Sequence, residues 1–216
     1  MGTRNLTVVI KDNKIKLSQY GQWDGYFSYT GVKFLDFVKK NLQAKSTKEY
    51  KYRIEEFKEK IDLLEEISNE KFNEYLEIYN QIGTSTKNTS SYSIPFSIMF
   101  PQFSRDTGVE ILNVINGLRR YELGGKKFPV QICTDSGWTE FINVIDLDNE
   151  EIYMFTSHVF NVEVNYEIPA ILDTFGMDCY YKAKIKNLPS IKEIKEYKER
   201  IELDVWTDDD GVKHSN

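Results

Sequence analysis

The spacing of apolar residues changes once along the first 42 residues. Residues 6–10 form a run rich in β-branched side chains, and residues 15–19 alternate between apolar and polar. The turn-type cluster at 11–14 separates these runs, so the pattern predicts a β-hairpin. Apolar residues at 32–42 follow the spacing of a helix. Residues 20–31, YGQWDGYFSYTG, are rich in glycine, polar and aromatic residues, and they are predicted to form a loop between the hairpin and this helix.

The most regular helical pattern covers residues 47–82. Apolar residues there recur every three or four positions, with Glu and Lys on the opposite face. Ser68-Asn69 interrupts the pattern, which fits either two helices or one long helix with a break. We interpret the segment as a helical-hairpin insert. The polar residues 83–93, GTSTKNTSSYS, predict a mobile loop.

The second half of the chain is mainly strand-like. The strand-like segments are 128–133, 141–147, 152–155 and 180–185. Helical patterns cover 109–118 and 190–201. Strands at both ends of the chain with helices between them indicate an α+β fold with a mainly antiparallel sheet and flanking helices. We expect a single domain over residues 1–203 and a flexible tail over 204–216.

Composition and charge exclude several classes of protein. The 216 residues carry 28 Lys+Arg and 34 Asp+Glu, a net charge of -6, so the chain lacks the basic surface of a general duplex-binding protein. Two Cys and two His exclude a disulfide scaffold and argue against a metal centre, and we expect no cofactor. No signal-peptide pattern or membrane-length apolar run is present, which predicts a soluble cytoplasmic protein.

One short stretch in the predicted loop combines the side chains of a ligand site. Its polar and aromatic residues are Gln19, Tyr20, Gln22, Trp23, Asp24 and Tyr26. Gln amides and an Asp carboxylate can read the donor and acceptor edges of a base, a ribose or a sugar, and the rings offer stacking faces. The alternative is a structural loop whose aromatic rings cap the sheet while Asp24 binds backbone amides. The residues alone leave both interpretations open.

Charged residues elsewhere in the sequence suggest partners for the same ligand. Arg4, just before the first strand, is placed to pair with Asp24 or with a phosphate. Arg105-Asp106, at a predicted helix start behind the N-cap candidate Ser104, would either hold an anion or form a plain capping cluster.

Three further features have simpler structural interpretations. Asp146 and Asp148 flank a hairpin end, where a turn role is favoured over metal binding. Cys133 and Cys179 have no His partner in the sequence that would indicate a nucleophile, and burial is the commoner fate of Cys. His158 lies in an apolar stretch and is interpreted as a packed residue.

The opening MGTRNLTVVI and the later QYGQWDGY, followed by Gly31, resemble a family of uncharacterised proteins from phages, bacteria and fungi. Its members typically start MGTR-x-L and carry QYGQWDGYP-x-x-x-G after a short hairpin. FSRDTGVEIL (103–112) and TEFINVIDLDNEEIYMF (139–155) also resemble that family, the latter its CEWAYVIDLD hairpin. The chain departs from the family pattern at Phe27, where Pro is usual, and at Thr139, where Cys is expected. The second departure argues against a thiol nucleophile there.

The resemblance implies a shared fold unit and no established activity. The matched polar and aromatic positions comprise Gly2, Thr3, Arg4, Gln19, Tyr20, Gln22, Trp23, Asp24, Gly25, Tyr26, Arg105 and Asp106. Their grouping favours ligand binding by the loop. We therefore expect a non-enzymatic phage-type or prophage-type protein that holds a small polar, nucleotide-derived ligand. A role in counter-defence would follow if that ligand is an immune signal.

Two alternatives remain open at this point. The first is a hydrolase of the N-terminal-nucleophile type, in which Thr3 would need to become terminal by a cleavage beyond methionine removal. The second is a protein-interaction module that docks a protein partner through the helices predicted at 47–82.

Overall fold

A five-stranded sheet forms the centre of the molecule. Its strands are, in spatial order, β2 (Lys14–Gly21), β1 (Asn5–Lys11), β5 (Phe141–Asp146), β6 (Glu151–Thr156) and β7 (Asp178–Lys184). The computed structural model describes residues 3–85, 96–133, 139–157, 166–201, 205–207 and 213–215. Of the four strand pairings in the sheet, only β1 with β5 is parallel. Helices flank the sheet, and the predicted α+β class with a mainly antiparallel sheet is confirmed.

The predicted N-terminal hairpin is confirmed as β1 (Asn5–Lys11) and β2 (Lys14–Gly21). Its turn residues, Asp12 and Asn13, both have positive φ, at 56° and 52°. Two left-handed residues in succession match the twist of a two-residue hairpin, and Asp and Asn adopt that conformation more readily than other side chains.

The other three strands of the sheet also follow the predicted segments. β5 (Phe141–Asp146) lies beside β1, and β6 (Glu151–Thr156) and β7 (Asp178–Lys184) extend the sheet to its other edge. β5 and β6 are joined by the tight turn that the sequence predicted around Asp148-Asn149. The local hydrophobic pattern therefore predicts all five strands of the sheet.

The first helix starts earlier than the sequence pattern predicted. A π-helical turn, Phe27–Gly31, continues directly into α1 (Val32–Phe37) and a second π-helical turn, Val38–Leu42. The expected loop over 20–31 is therefore shorter, because β2 runs to Gly21 and helix begins at Phe27. Burial of the Phe27 side chain against the core explains the early start.

The two helices predicted in the middle of the chain are present, separated by a short strand. They are α2 (Thr47–Ile61) and α3 (Asn69–Ser85), with β3 (Leu64–Glu66) between them. Ser46 caps α2 by accepting a hydrogen bond from the Glu49 amide. The apolar side chains of α2 belong to the core, namely Tyr50, Ile54, Phe57 and Ile61.

By contrast, α3 has no buried side chain over 69–81. Its aromatic rings pack edge-on against those of residues 96–103. Residues 83–85, assigned to a loop by the sequence pattern, are the last turn of α3. The rest of that predicted loop, 86–93, lies outside the described residues.

The remaining elements are short except for the last helix. They are α4 (Phe96–Met99), α5 (Ile111–Gly117), β4 (Phe128–Val130), α6 (Ile191–Ile201), β8 (Val205–Thr207) and β9 (Lys213–Ser215). β4 pairs in parallel with β3, and β8 pairs with β9 inside the predicted tail. No described helix has the length and apolar character needed to cross a membrane.

The two faces of the sheet are covered differently. On one face, which we call the helical face, a row formed by Leu17, Val9, Ile145 and Ile152 packs under α1, α2, α5 and α6. The other face, the far face, carries Leu6, Val8, Ile142, Val144, Tyr153 and Phe155, and residues 166–177 pack against it. Both faces therefore bury apolar side chains, as the near-continuous apolar runs of β1 and β5 require.

Candidate functional site

The two predicted ligand-binding segments meet at one end of the sheet. The Gln22 amide donates to the Arg105 carbonyl at 2.9 Å, and Trp23 Nε1 donates to Asp106 Oδ1 at 3.1 Å, across 83 residues of sequence. Gln19 Nε2 donates to the Ser104 carbonyl at 2.9 Å. Residues 19–26 and 104–106 thus form one hydrogen-bonded unit, which we call the candidate site.

Backbone contacts fix the path of residues 21–25. Asn5 Nδ2 lies 3.3 Å from the carbonyls of both Gly21 and Trp23, and the Gly25 amide donates to the Thr3 carbonyl at 3.0 Å. A Cβ at Gly25 would lie 3.0 Å from the backbone oxygens of Thr3 and Arg4. This position therefore favours glycine, and the close approach places Arg4 against the candidate site.

Asp24 and Arg105 carry the unpaired charges of the candidate site. Asp24 has a φ of 50°, a left-handed conformation that Asp tolerates better than most residues. Its exposed carboxylate forms no hydrogen bond or ion pair with any described residue, and neither does the exposed Arg105 guanidinium. The ion pair between Arg4 and Asp24 that the sequence suggested is therefore not formed. Residues held in sparsely populated conformations occur preferentially at functional sites.

Three aromatic side chains spaced three residues apart leave much of their surface in solvent. Trp23 is 54% exposed, Tyr26 is 46% exposed and Tyr29 is 48% exposed. Lys33 Nζ lies 4.3 Å from the centre of the Tyr29 ring and 2.9 Å from Glu110, whose hydrogen bond raises the pKa of the lysine. Exposed aromatic groups of this size mark binding surfaces more often than single scattered apolar residues do.

Other members of the predicted set support the candidate site from within. Gln19 is buried, and its amide group donates to the carbonyls of Ser104 and Tyr20. The Tyr20 hydroxyl donates to Gln22 Oε1 at 3.0 Å. The Ser104 hydroxyl caps the 104–106 turn by accepting from the Asp106 amide at 3.1 Å. These contacts make Gln19 and Tyr20 positioning residues, whereas Trp23, Asp24, Tyr26 and Arg105 face solvent.

A patch of buried polar side chains lies on the helical face at the same end of the sheet, and the sequence analysis missed it. Thr7 pairs in register with Gln19 on one side and with Asn143 on the other, and Asn5 lies two positions before Thr7. Asn5 Oδ1, Thr7 Oγ1 and Asn143 Nδ2 are buried without a hydrogen-bond partner among the described residues. The available signal was the polar residue inside each of the runs NLTVVI and FINVID. Buried polar atoms without partners are rare in folded proteins.

The two aspartates at the opposite end of the sheet serve as turn residues. Asp146 accepts hydrogen bonds from the backbone amides of Asp148 and Asn149 and from Asn149 Nδ2, at 2.8–3.0 Å. The Asp148 carboxylate accepts from the amides of Asp12 and Asn13, which ties the two hairpin turns together. No three metal-binding side chains come together within the described part of the chain.

The geometry gives little support to a cysteine nucleophile or to the hydrolase hypothesis. Burial raises the pKa of the Cys179 thiol to about 12, so it remains protonated and unreactive at neutral pH. Cys133 is half-buried. Thr3, the nucleophile of the hydrolase alternative, is buried, and its carbonyl holds Gly25. His158 lies outside the described residues.

Comparison of the chain with protein-family models, curated proteins and solved structures gives no match. The family resemblance of its motifs therefore stays a prediction. The function of the candidate site is therefore inferred from the contacts and the exposure of its own residues.

Proposed function

We propose that the candidate site binds a small polar ligand that carries a planar ring and a negative charge, as a nucleotide or nucleotide-derived molecule does. The observation that carries this proposal is the group of exposed Trp23 and Tyr26 rings beside the unpaired charges of Asp24 and Arg105. All four side chains extend from one hydrogen-bonded unit.

Each exposed side chain has a distinct role in this proposal. Trp23 and Tyr26 stack on the planar ring of the ligand, an interaction available to every nucleobase. Arg105 pairs with a phosphate group through its guanidinium fork. Asp24 accepts hydrogen bonds from ring N–H groups or from ribose hydroxyls.

The internal hydrogen bonds of the candidate site support the same proposal. Trp23 is held by Asp106, and the Gln22 backbone is held by Arg105. Because these groups are already ordered in the free protein, binding loses less conformational entropy than it would with a mobile loop. The aromatic faces remain exposed although the frame beneath them is fixed.

The test is isothermal titration calorimetry with nucleoside monophosphates, dinucleotides and ADP-ribose derivatives. We expect one or more of these compounds to bind the wild-type chain and Trp23→Ala to weaken that binding at least about tenfold, the equivalent of losing one stacking contact. Tyr121→Ala is the matched control because Tyr121 is also an exposed aromatic residue but lies outside the candidate site. Asp24→Asn removes one charge while preserving side-chain size, and Arg105→Gln removes the other charge but leaves a shorter side chain.

Two results would contradict the proposal. One is the absence of measurable heat with every compound of the panel. The other is equal affinity in the wild-type and Trp23→Ala chains. If the bound compound is an immune signal, the counter-defence role becomes part of the proposal, and a phage-infection assay with wild-type and Trp23→Ala chains tests it.

One observation favours docking of a protein partner as a second candidate function. Leu76 and Ile78 of α3 are exposed, as is Ile98 of α4, the helix whose Phe96 ring packs against α3, and α3 buries no described side chain. The apolar side chains of α2 are buried in the core and are not available to a partner. Of the two helices predicted as a docking surface, α3 therefore remains. Light scattering after gel filtration tests the simplest partner, a second copy. Association that Leu76→Lys with Ile78→Lys abolishes would support docking, and a monomer at all concentrations would remove that partner.

A further inference from the structure

A polar cleft opens on the far face of the sheet, at the end opposite the candidate site. Its volume is about 630 Å³, within the range of small-molecule sites. The floor is formed by Glu151 and Tyr153 of β6 with Lys182 and Lys184 of β7, and residues 167–171 form one wall. No step of the proposed function uses this cleft.

Two lysines and two glutamates line the cleft, and among the described residues both ammonium groups form ion pairs with only one of the two carboxylates. Lys182 Nζ lies 3.3 Å and Lys184 Nζ lies 2.9 Å from the oxygens of the same Glu151 carboxylate. Glu151 also accepts a hydrogen bond from the buried Tyr153 hydroxyl at 2.5 Å. Glu167 adds a carboxylate at the exposed rim, where solvent screens its charge.

Glu151 remains ionised at neutral pH. Burial acts to raise the pKa of its carboxyl, but the hydrogen bonds from Tyr153 and Lys184 and the charge of Lys182 outweigh burial and lower the pKa overall. The carboxylate therefore holds both ammonium groups near one another.

Backbone carbonyls fix the two ammonium groups further. Lys182 Nζ donates to the Glu167 carbonyl at 2.8 Å, and Lys184 Nζ donates to the Asn149 carbonyl at 3.1 Å. Each ammonium thus makes one hydrogen bond to a backbone carbonyl and one ion pair with Glu151, which leaves at least one of its three N–H donors for a ligand. The turn that carries Asn149 is itself held by Asp146. Two preorganised ammonium groups with free donors are suited to an oxyanion.

We propose that this cleft binds the oxyanion of a small ligand, a phosphate or a carboxylate group, between Lys182 and Lys184. The wall formed by Ile168, Pro169 and Ile171 contacts the rest of the ligand. A purely structural explanation exists for the lysines, because charged residues on an edge strand such as β7 prevent edge-to-edge aggregation. Phosphate also stabilises folded proteins in general by exclusion from their surfaces, but that explanation predicts no oxyanion response that depends on Lys184, so the two accounts differ experimentally.

The experiment measures thermal unfolding in sodium phosphate, sodium acetate and sodium chloride at equal ionic strength. We expect phosphate or acetate to raise the midpoint by about 4 °C at ten times its dissociation constant, relative to chloride. The stronger of the two identifies the oxyanion. Lys184→Gln abolishes this shift, whereas Lys195→Gln, a lysine of α6 with similar exposure (54% against 58%), retains it.

Glu151→Gln has an expected effect on oxyanion binding that a purely structural role of the two lysines does not predict. The carbonyls of Glu167 and Asn149 still hold both lysines when the carboxylate that competes for them is removed, so oxyanion binding should tighten about tenfold in a variant that circular dichroism shows to be folded. A variant that fails to fold leaves Lys184→Gln to decide, because the Lys184 side chain is 58% exposed. Equal midpoints in all three salts, or weaker binding by folded Glu151→Gln, would overturn the proposal.

Discussion

The two ends of the five-stranded sheet both carry aspartate-containing loops, and these loops use their polar side chains in opposite ways. At the hairpin end, Asp146 and Asp148 direct their carboxylates to backbone amides of the two turns. At the other end, Asp24 and Arg105 stay unpaired among the described residues, and Trp23 is half-exposed. The comparison teaches that the role of a polar residue depends on how much of its hydrogen-bonding capacity the fold already uses.

The largest expected effect comes from the hairpin end. Asp146→Ala removes a buried acceptor of three hydrogen bonds and leaves two backbone amides unsatisfied. We expect the free energy of unfolding to fall by about 2–4 kcal/mol, measured by urea denaturation. Asp24→Asn is the matched change at the other end, and it should alter stability by less than about 0.5 kcal/mol. Equal losses of unfolding free energy in Asp146→Ala and Asp24→Asn would contradict the difference between the two ends of the sheet.

A smaller effect tests whether the candidate site is rigid. Gly25→Ala places a Cβ 3.0 Å from two backbone oxygens, so the chain must shift, and we expect a loss of about 1–3 kcal/mol. Gly117→Ala, where no atom lies within 4 Å, should instead stabilise the protein by about 0.5–1 kcal/mol. Urea denaturation of both variants measures the difference. An unchanged free energy of unfolding in Gly25→Ala would show that residues 21–25 are held loosely.

The smallest effect concerns alkaline pH at the hairpin end. Burial and the hydrogen bond to Glu151 raise the pKa of Tyr153 above its usual value of 10.0. The folded state therefore holds this proton more tightly than the unfolded state, and its contribution is complete below pH 10 and lost as pH rises further. We expect up to about 1 kcal/mol less stability at pH 11 than at pH 9 from this residue. Urea denaturation at both pH values should show that Tyr153→Phe loses less stability between pH 9 and pH 11 than the wild-type chain. An equal loss of stability would contradict the attribution of this effect to Tyr153.

Local sequence patterns predicted the elements that depend on near neighbours. The β1–β2 and β5–β6 hairpins and α6 follow from alternation, turn residues and helical spacing. The start of helix at Phe27 was missed because the burial of that ring depends on the sheet beneath it, which local composition does not show.

The sequence predicted which residues form the candidate site but not how they contact one another. Residues 19–26 and 104–106 were singled out, but the hydrogen bond from Trp23 to Asp106 joins segments whose contact depends on the whole fold. The buried partners Thr7 and Asn143 were missed because their pairing arises from the parallel contact between β1 and β5, across most of the chain. Long-range pairing of this kind leaves no local periodicity to detect.

Native mass spectrometry tests the central claim most directly. Wild-type and Trp23→Ala chains, purified side by side and incubated with the same nucleotide panel, should differ. We predict an added mass on the wild-type chain that denaturation removes and that Trp23→Ala lacks. The mass itself would identify the ligand class. Bare 25.4 kDa chains in both samples, or the same added mass on both, would contradict the account.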